Sequence, residues 1–207
     1  MEFTIPILYG NIEVALENLI SNLEHYKTSA RCSVHIHVNV ADLTESQLTT
    51  LILVYTIFER FLFEESGRRF NSNYCVPLQH QVILPIENEL AVVKAVKFPK
   101  YSAIHLFAQT DTGKLLGTLE FRHLKGTLDV NYIKNWVYYL VSMHHYAQNT
   151  HLNQFKENLY DMRVSSAYIN LFETVFNMPL PINLFPHKKL ILDMEKGVSF
   201  AKLLLDY

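Results

Sequence analysis

The chain has 207 residues, of which 49% are hydrophobic and 18% charged. That is enough apolar material for one large domain or two small ones, and the pattern is not that of a disordered chain. A formal net charge of −2 offers no basic face for general nucleic-acid binding. The most apolar run, Leu51 to Phe58, is closed by Glu59 and Arg60 and is too short to span a bilayer. No membrane association is expected. No signal peptide is legible, so a reducing, cytoplasmic setting is expected, with Cys32 and Cys75 as two buried, unpaired thiols.

In chain order, residues 11–27 place Ile12, Leu16, Leu19, Ile20 and Leu23 at helical spacing. A strand is predicted over 33–40, where Ser33, His35, His37 and Asn39 alternate with Val34, Ile36, Val38 and Val40. Thr44 and Gln47 have the spacing of a capping box and open a helix to about Glu64, too apolar to be exposed on any wide face. Residues 66–96 read as irregular, broken by Gly67, Pro77 and Pro85. Strands are predicted over about 101–109 and 114–124, joined by a Thr110–Gly113 turn. Asp129 is placed to cap a helix over about 130–148, with Ile133, Trp136, Val137, Leu140 and Val141 on its buried stripe. Helices follow at about 153–162, 166–177 and from 188. The implied class is α+β: an antiparallel sheet backed by helices on one face, the other face polar and open, with a helical C-terminal part.

Two strands carry the chemistry. Side chains two apart on one face of a strand lie roughly 7 Å apart, so His35, His37 and Asn39 form one polar row. In the later strand Thr118, Glu120 and Arg122 form another, opposite Leu119 and Phe121. A glutamate offers hard oxygen to Mg²⁺ or Mn²⁺, and an arginine offers a fork matched to phosphate or carboxylate. The plainer reading is a solvated face with a cross-strand salt bridge. His105 fits either a core-facing position or a pocket. His144 and His145 are adjacent on a helix and face different directions, so they make no joint metal site.

These segments together resemble the amidoligase family, carboxylate–amine ligases related in fold to glutamine synthetase. The resemblance is collinear over roughly residues 30–145. Ser33–Val40 is similar to the family's H-x-H strand. Arg68–Cys75 is similar to its R…N-x-Y-C segment. Lys100–Leu106 resembles a strand start that usually carries arginine where this chain has Lys100. Gly117–Asp129 is similar to its T-x-E-x-R strand and following helix entry, and Trp136 stands where a helix tryptophan is expected.

The resemblance implies a glutamine synthetase catalytic-domain-like sheet in residues 1–150, with 151–207 as a helical extension packed on it. It implies an enzyme that uses ATP, with Mg²⁺ or Mn²⁺, to phosphorylate a small-molecule or peptide carboxylate, which an amine then converts to an amide. On that pattern His35 and Glu120 are metal ligands, and Arg122 and Arg69 are the catalytic arginines. His37 and Asn39 line the nucleotide, Asn71, Asn73 and Tyr74 shape the substrate loop, and Lys100 stands near the phosphates. An upstream strand with E-x-E, usual in the family, is not legible here, and neither Glu2 nor the loop pair Glu87 and Glu89 replaces it. A truncated ligase, a partner chain supplying that strand, and an inactive nucleotide- or partner-binding relative therefore stay open. So does a metal-dependent hydrolase built on the His-x-His/Glu set.

Overall fold

A computed structural model of the chain describes residues 9–23, 25, 27–29, 32–67, 72–80, 101–107, 117–181 and 187–206. Within them, strands β1 (Ile36–Asn39), β2 (Ile104–Phe107) and β3 (Thr118–Phe121) form an antiparallel sheet in the order β1-β3-β2. Six α-helices accompany it: α1 (Ile12–Ser21), α2 (Glu45–Glu65), α3 (Val130–Asn149), α4 (Leu152–Asp161), α5 (Ser165–Phe176) and α6 (His187–Asp206). The class is α+β, and within the described residues the strands are shorter than the sequence suggests.

The period-2 alternation fixes which side of the sheet is dry. Leu119, Phe121 and Ile104 are fully buried, and Ile36, Val38 and Leu106 pack beside them on the same core. Phe121 meets Tyr55 of α2 edge-on at 6.0 Å between ring centroids, so α2 is the floor beneath the sheet. The Thr44–Gln47 capping box forms as expected, with the Thr44 amide donating to Gln47 Oε1 at 2.8 Å and the Gln47 amide to Thr44 Oγ1 at 3.3 Å. Every residue from Thr49 to Glu59 is buried.

Glu59 does not end the apolar run, as its charge suggests. It is fully buried, and burial continues through Phe61, Leu62 and Phe63. Helix α1 stops at Ser21 rather than near 27. Asn22 Nδ2 and Ser21 Oγ both donate to the Asn18 carbonyl, the local competition through which such side chains end helices. Asp129 caps α3 by accepting from the Tyr132 amide at 3.0 Å. Helix α3 buries Ile133, Trp136, Val137 and Leu140 as the spacing predicts, while Val141 lies at the margin of the core. The predicted turn at 110–113 lies outside the described residues. No helix among the described residues is long and apolar enough to cross a membrane.

Helix α6 runs against α2, and Gly197 sets the approach: a Cβ there would lie 2.6 Å from the Ile57 carbonyl oxygen. In an open helix Gly→Ala gains roughly 1 kcal/mol. Here that gain is opposed by collision with backbone, and Gly197→Ala is expected to cost about 1–3 kcal/mol net. The urea unfolding midpoint reads the sign: a midpoint equal to or above wild type would contradict the close α2–α6 contact.

Candidate active site on the open face of the sheet

Pairing across the sheet sets the polar face. β3 is central, and its register places His37 opposite Glu120 on one side and His105 opposite Glu120 on the other, with Asn39 opposite Thr118. His105, ambiguous from sequence, therefore belongs to the polar row. The signal was present in its parity with Ile104 and Leu106, but only the register makes it readable.

Glu120 is the node. Its residue is 3% exposed, because the central strand leaves it flanked on both sides. His35 Nδ1 lies 2.7 Å from Glu120 Oε1, and His37 Nε2 lies 3.8 Å from the same oxygen. Arg122 donates to the other oxygen, Oε2, through Nε at 2.7 Å and Nη2 at 2.6 Å. Burial pushes the Glu120 carboxyl up. The hydrogen bonds from His35 and Arg122, with their charges, outweigh that and hold it below the usual carboxylate range. The node is thus an anion at neutral pH, with cationic or proton-bearing groups on both of its oxygens.

The outer contacts orient these groups. Ser33 Oγ lies 3.0 Å from His35 Nε2, and Thr118 Oγ1 lies 3.3 Å from His37 Nδ1. When His35 donates from Nδ1 to Glu120 as the neutral tautomer, its Nε2 accepts from Ser33. Ser33 supports His35 from within the same strand segment, a role the bare alternation did not reveal. Asn39 lies on the polar face, but its Oδ1 accepts from the Ala41 amide at 3.2 Å, so it also shapes the turn after β1. Gly117, with φ +55°, lets the chain enter β3 against Ala41; a Cβ there would meet the Ala41 Cβ at 2.7 Å.

The other expected residues fare differently. Asn73 is exposed in the segment 72–80 and is not among the partners of Glu120. That segment joins the start of β2 through an isolated bridge between Val76 and Ser102. Tyr74 is exposed and meets Tyr101 edge-on. Arg69, Asn71 and Lys100 lie outside the described residues. Cys75 is buried as expected, but Cys32 is exposed, its sulfur 3.4 Å from the Ser29 amide. His144 pairs with Asp42 at 3.3 Å, away from the node. Among the described residues no group of three or more His, Cys, Asp or Glu side chains is arranged to hold a metal ion.

Residues 1–144 match a family described as putative amidoligase enzyme. The chain belongs to this amidoligase family. The match contains every residue of the Glu120 node, α1, α2 and the first three quarters of α3. No curated protein and no solved structure matches the chain. Family membership points to a ligase-type enzyme, and the node is a charged constellation within the matched segment.

Removing the charge of the node has a pH-dependent consequence. A carboxyl held below its ordinary value of 4.5 contributes stability that is present above that value and is lost as pH falls through the lowered one. Glu120→Gln is expected to lower stability by about 1–3 kcal/mol at pH 7, and the gap from wild type closes in acid. Denaturant unfolding at several pH values reads this. A gap that is absent at pH 7, or that widens on acidification, would contradict the pairing described.

Proposed function

We propose that the protein is an ATP-dependent carboxylate–amine ligase with a glutamine synthetase-like catalytic sheet, and that the Glu120 node is its phosphate-handling wall. The observation that carries this reading is a buried, ionised carboxylate shared by two imidazoles and a guanidinium on an open sheet face, inside the segment that matches the amidoligase family.

The donor set suits one hard cation in the company of phosphates. Mg²⁺ commonly takes one or two carboxylates and fills its other positions with phosphate oxygens and water; Glu120 and His35 would be its protein ligands here. When bound, Mg²⁺ or Mn²⁺ supplies neutralisation of the ATP phosphate charge. His37 and Asn39 would border the nucleotide. Arg122, its fork already oriented by Glu120 Oε2, would steady the charge of the transferred phosphoryl group, where preorganised donors have their largest effect. Arg69 is proposed as a second arginine at that group, Lys100 as a further cation near the phosphates, and Asn71 and Asn73 as contacts of the substrate loop.

The reaction has two displacements. A substrate carboxylate oxygen attacks the γ-phosphorus of ATP and ADP leaves. The amine nitrogen then attacks the acyl carbon, phosphate leaves, and the nitrogen gives up a proton as the amide forms. The protein's own part is positioning and electrostatics. The carboxylate and the amine belong to small molecules or peptides.

Phosphate release from ATP in the presence of candidate carboxylates and amines tests this. Glu120→Ala and Arg122→Ala are each expected to reduce turnover by about 10²-fold or more, and His144→Ala to leave it unchanged. Wild-type activity in the Glu120 and Arg122 variants would sink the proposed site. Nucleotide binding without turnover would make the protein a non-catalytic binder, and activity that requires zinc but no ATP would make it a hydrolase.

A further inference from the structure

A second buried carboxylate lies on the opposite side of the sheet from the node. Glu59, in the middle of α2, is fully buried. Its Oε1 accepts from the Tyr55 hydroxyl at 2.6 Å and from the Leu78 amide at 2.5 Å, and its Oε2 accepts from the Gln79 amide at 3.1 Å. Gln79 Nε2 in turn donates to the Thr56 carbonyl on the same helix. A helix interior thus grips the backbone of a loop nearly 20 residues away.

Both ends of this grip lead to Arg122. On one branch, the Tyr55 hydroxyl lies 2.9 Å from His123 Nε2, and His123 is the residue next to Arg122, fully buried among Tyr55, Phe63, Phe121 and Trp136. Since Tyr55 has one hydroxyl proton and gives it to Glu59, it accepts from the Nε2–H tautomer of His123. On the other branch, the loop held at Leu78 and Gln79 is joined to β2. The Val76 amide donates to the Tyr101 carbonyl and the Ala103 amide to the Val76 carbonyl, both at 2.8 Å, and the Ala103 carbonyl accepts from the Arg122 amide at 2.9 Å.

We infer that Glu59 is a positioning residue for the ligase site, a clamp that sets the end of β3 at Arg122 and the segment 72–80 beside it. The role assigned to Arg122 rests on the proposed function; the clamp itself rests on the hydrogen bonds alone. It touches neither substrate nor nucleotide.

The clamp is sensitive to protons. Burial pushes the Glu59 carboxyl up to about 7, against the opposing effect of its hydrogen bonds from Tyr55, Leu78 and Gln79. Among the described residues, the ionisable groups around it are Tyr55 on its own helix, raised well above the ordinary tyrosine range by burial, His123 just after β3, and Cys75 on the gripped segment. If the segment opens and water reaches Glu59, its carboxyl returns toward the ordinary value of 4.5. The closed form then binds the proton more tightly, so closure is firmest in acid. Opening becomes roughly tenfold easier per pH unit between the two values and levels off above the higher one.

Amide hydrogen exchange of the segment 72–80 in the full chain, corrected for the intrinsic pH dependence of exchange, reads this directly. In the wild type the opening constant is expected to rise by about two orders of magnitude between roughly pH 5 and 7 and then to plateau. In Glu59→Gln it is expected to be flat. Tyr55→Phe removes a hydrogen bond that lowers the Glu59 carboxyl and is expected to move the plateau to higher pH; this variant decides the matter if Glu59→Gln does not fold. A wild-type profile that is flat, or one that persists in Glu59→Gln and so belongs to His123 or Cys75, overturns the inference. So does an unmoved plateau in Tyr55→Phe.

Phosphate release from ATP provides the second arm. The wild-type turnover profile is expected to bend over the same pH window, and the Glu59→Gln profile to lose that bend. A bend unchanged in Glu59→Gln counts against the positioning role. If the wild type releases no phosphate with any carboxylate–amine pair while the exchange pattern holds, the clamp stands and the ligase reading falls.

Discussion

An ionised carboxylate with almost no contact with water has to be paired, and Glu120 is the place where this protein meets that demand. Desolvation of a charge is costly unless hydrogen bonds and opposite charges replace the lost water. Glu120 stands on the central strand, so its flanks are covered by β1 and β2 and its partners must come from the same face. His35 takes one oxygen and Arg122 takes the other. The strand order, the register and the polar parity of all three strands are conditions for that single arrangement. A slip of one residue in β1 would turn His35 and His37 into the core and bring Ile36 and Val38 to the carboxylate.

The two faces of the sheet treat their carboxylates in opposite ways. On the open face Glu120 is held below the ordinary range by cationic and proton-donating neighbours. Beneath the other face Glu59 is pushed above it, because its donors are a phenol and two backbone amides that carry no charge. The difference lies in the partners, since both groups pay the penalty of burial. One is therefore an anion at neutral pH, able to organise cations. The other changes charge near neutrality and ties a helix to a loop. Pairs of titratable groups driven apart in this way are a recurring feature of sites that do chemistry, and here the two are linked through adjacent residues, Arg122 and His123.

Much of this was legible in the sequence wherever a strict period was at work. The His35–His37–Asn39 and Thr118–Glu120–Arg122 rows were readable because side chains in a regular strand alternate between its two faces. The Thr44 and Asp129 caps were readable because capping is local. The meeting of those two rows was not: β1 and β3 are some eighty residues apart, and nothing in either strand states that β3 lies between β1 and β2. His105 was undecidable for the same reason. Glu59 was misread because a charge at the edge of an apolar run ordinarily marks the run's end. Its partners, Leu78, Gln79 and, through Tyr55, His123, are remote in sequence and two of them use only backbone amides, which leave no trace in residue type. A thiol with no basic partner legible beside it reads as buried; that holds for Cys75 and fails for Cys32, which lies exposed just before the Ser33–Lys125 bridge.

The proposed ligase reading requires the polar face around Glu120 to receive a divalent cation together with ATP. Paramagnetic broadening of the histidine imidazole resonances by Mn²⁺·ATP tests it without knowledge of the carboxylate or amine substrate. His35 and His37 are expected to broaden first and strongly, His144, His145 and His151 to stay sharp, and the selectivity to vanish in Glu120→Gln. Broadening that spares His35 and His37, or that survives unchanged in Glu120→Gln, would contradict it.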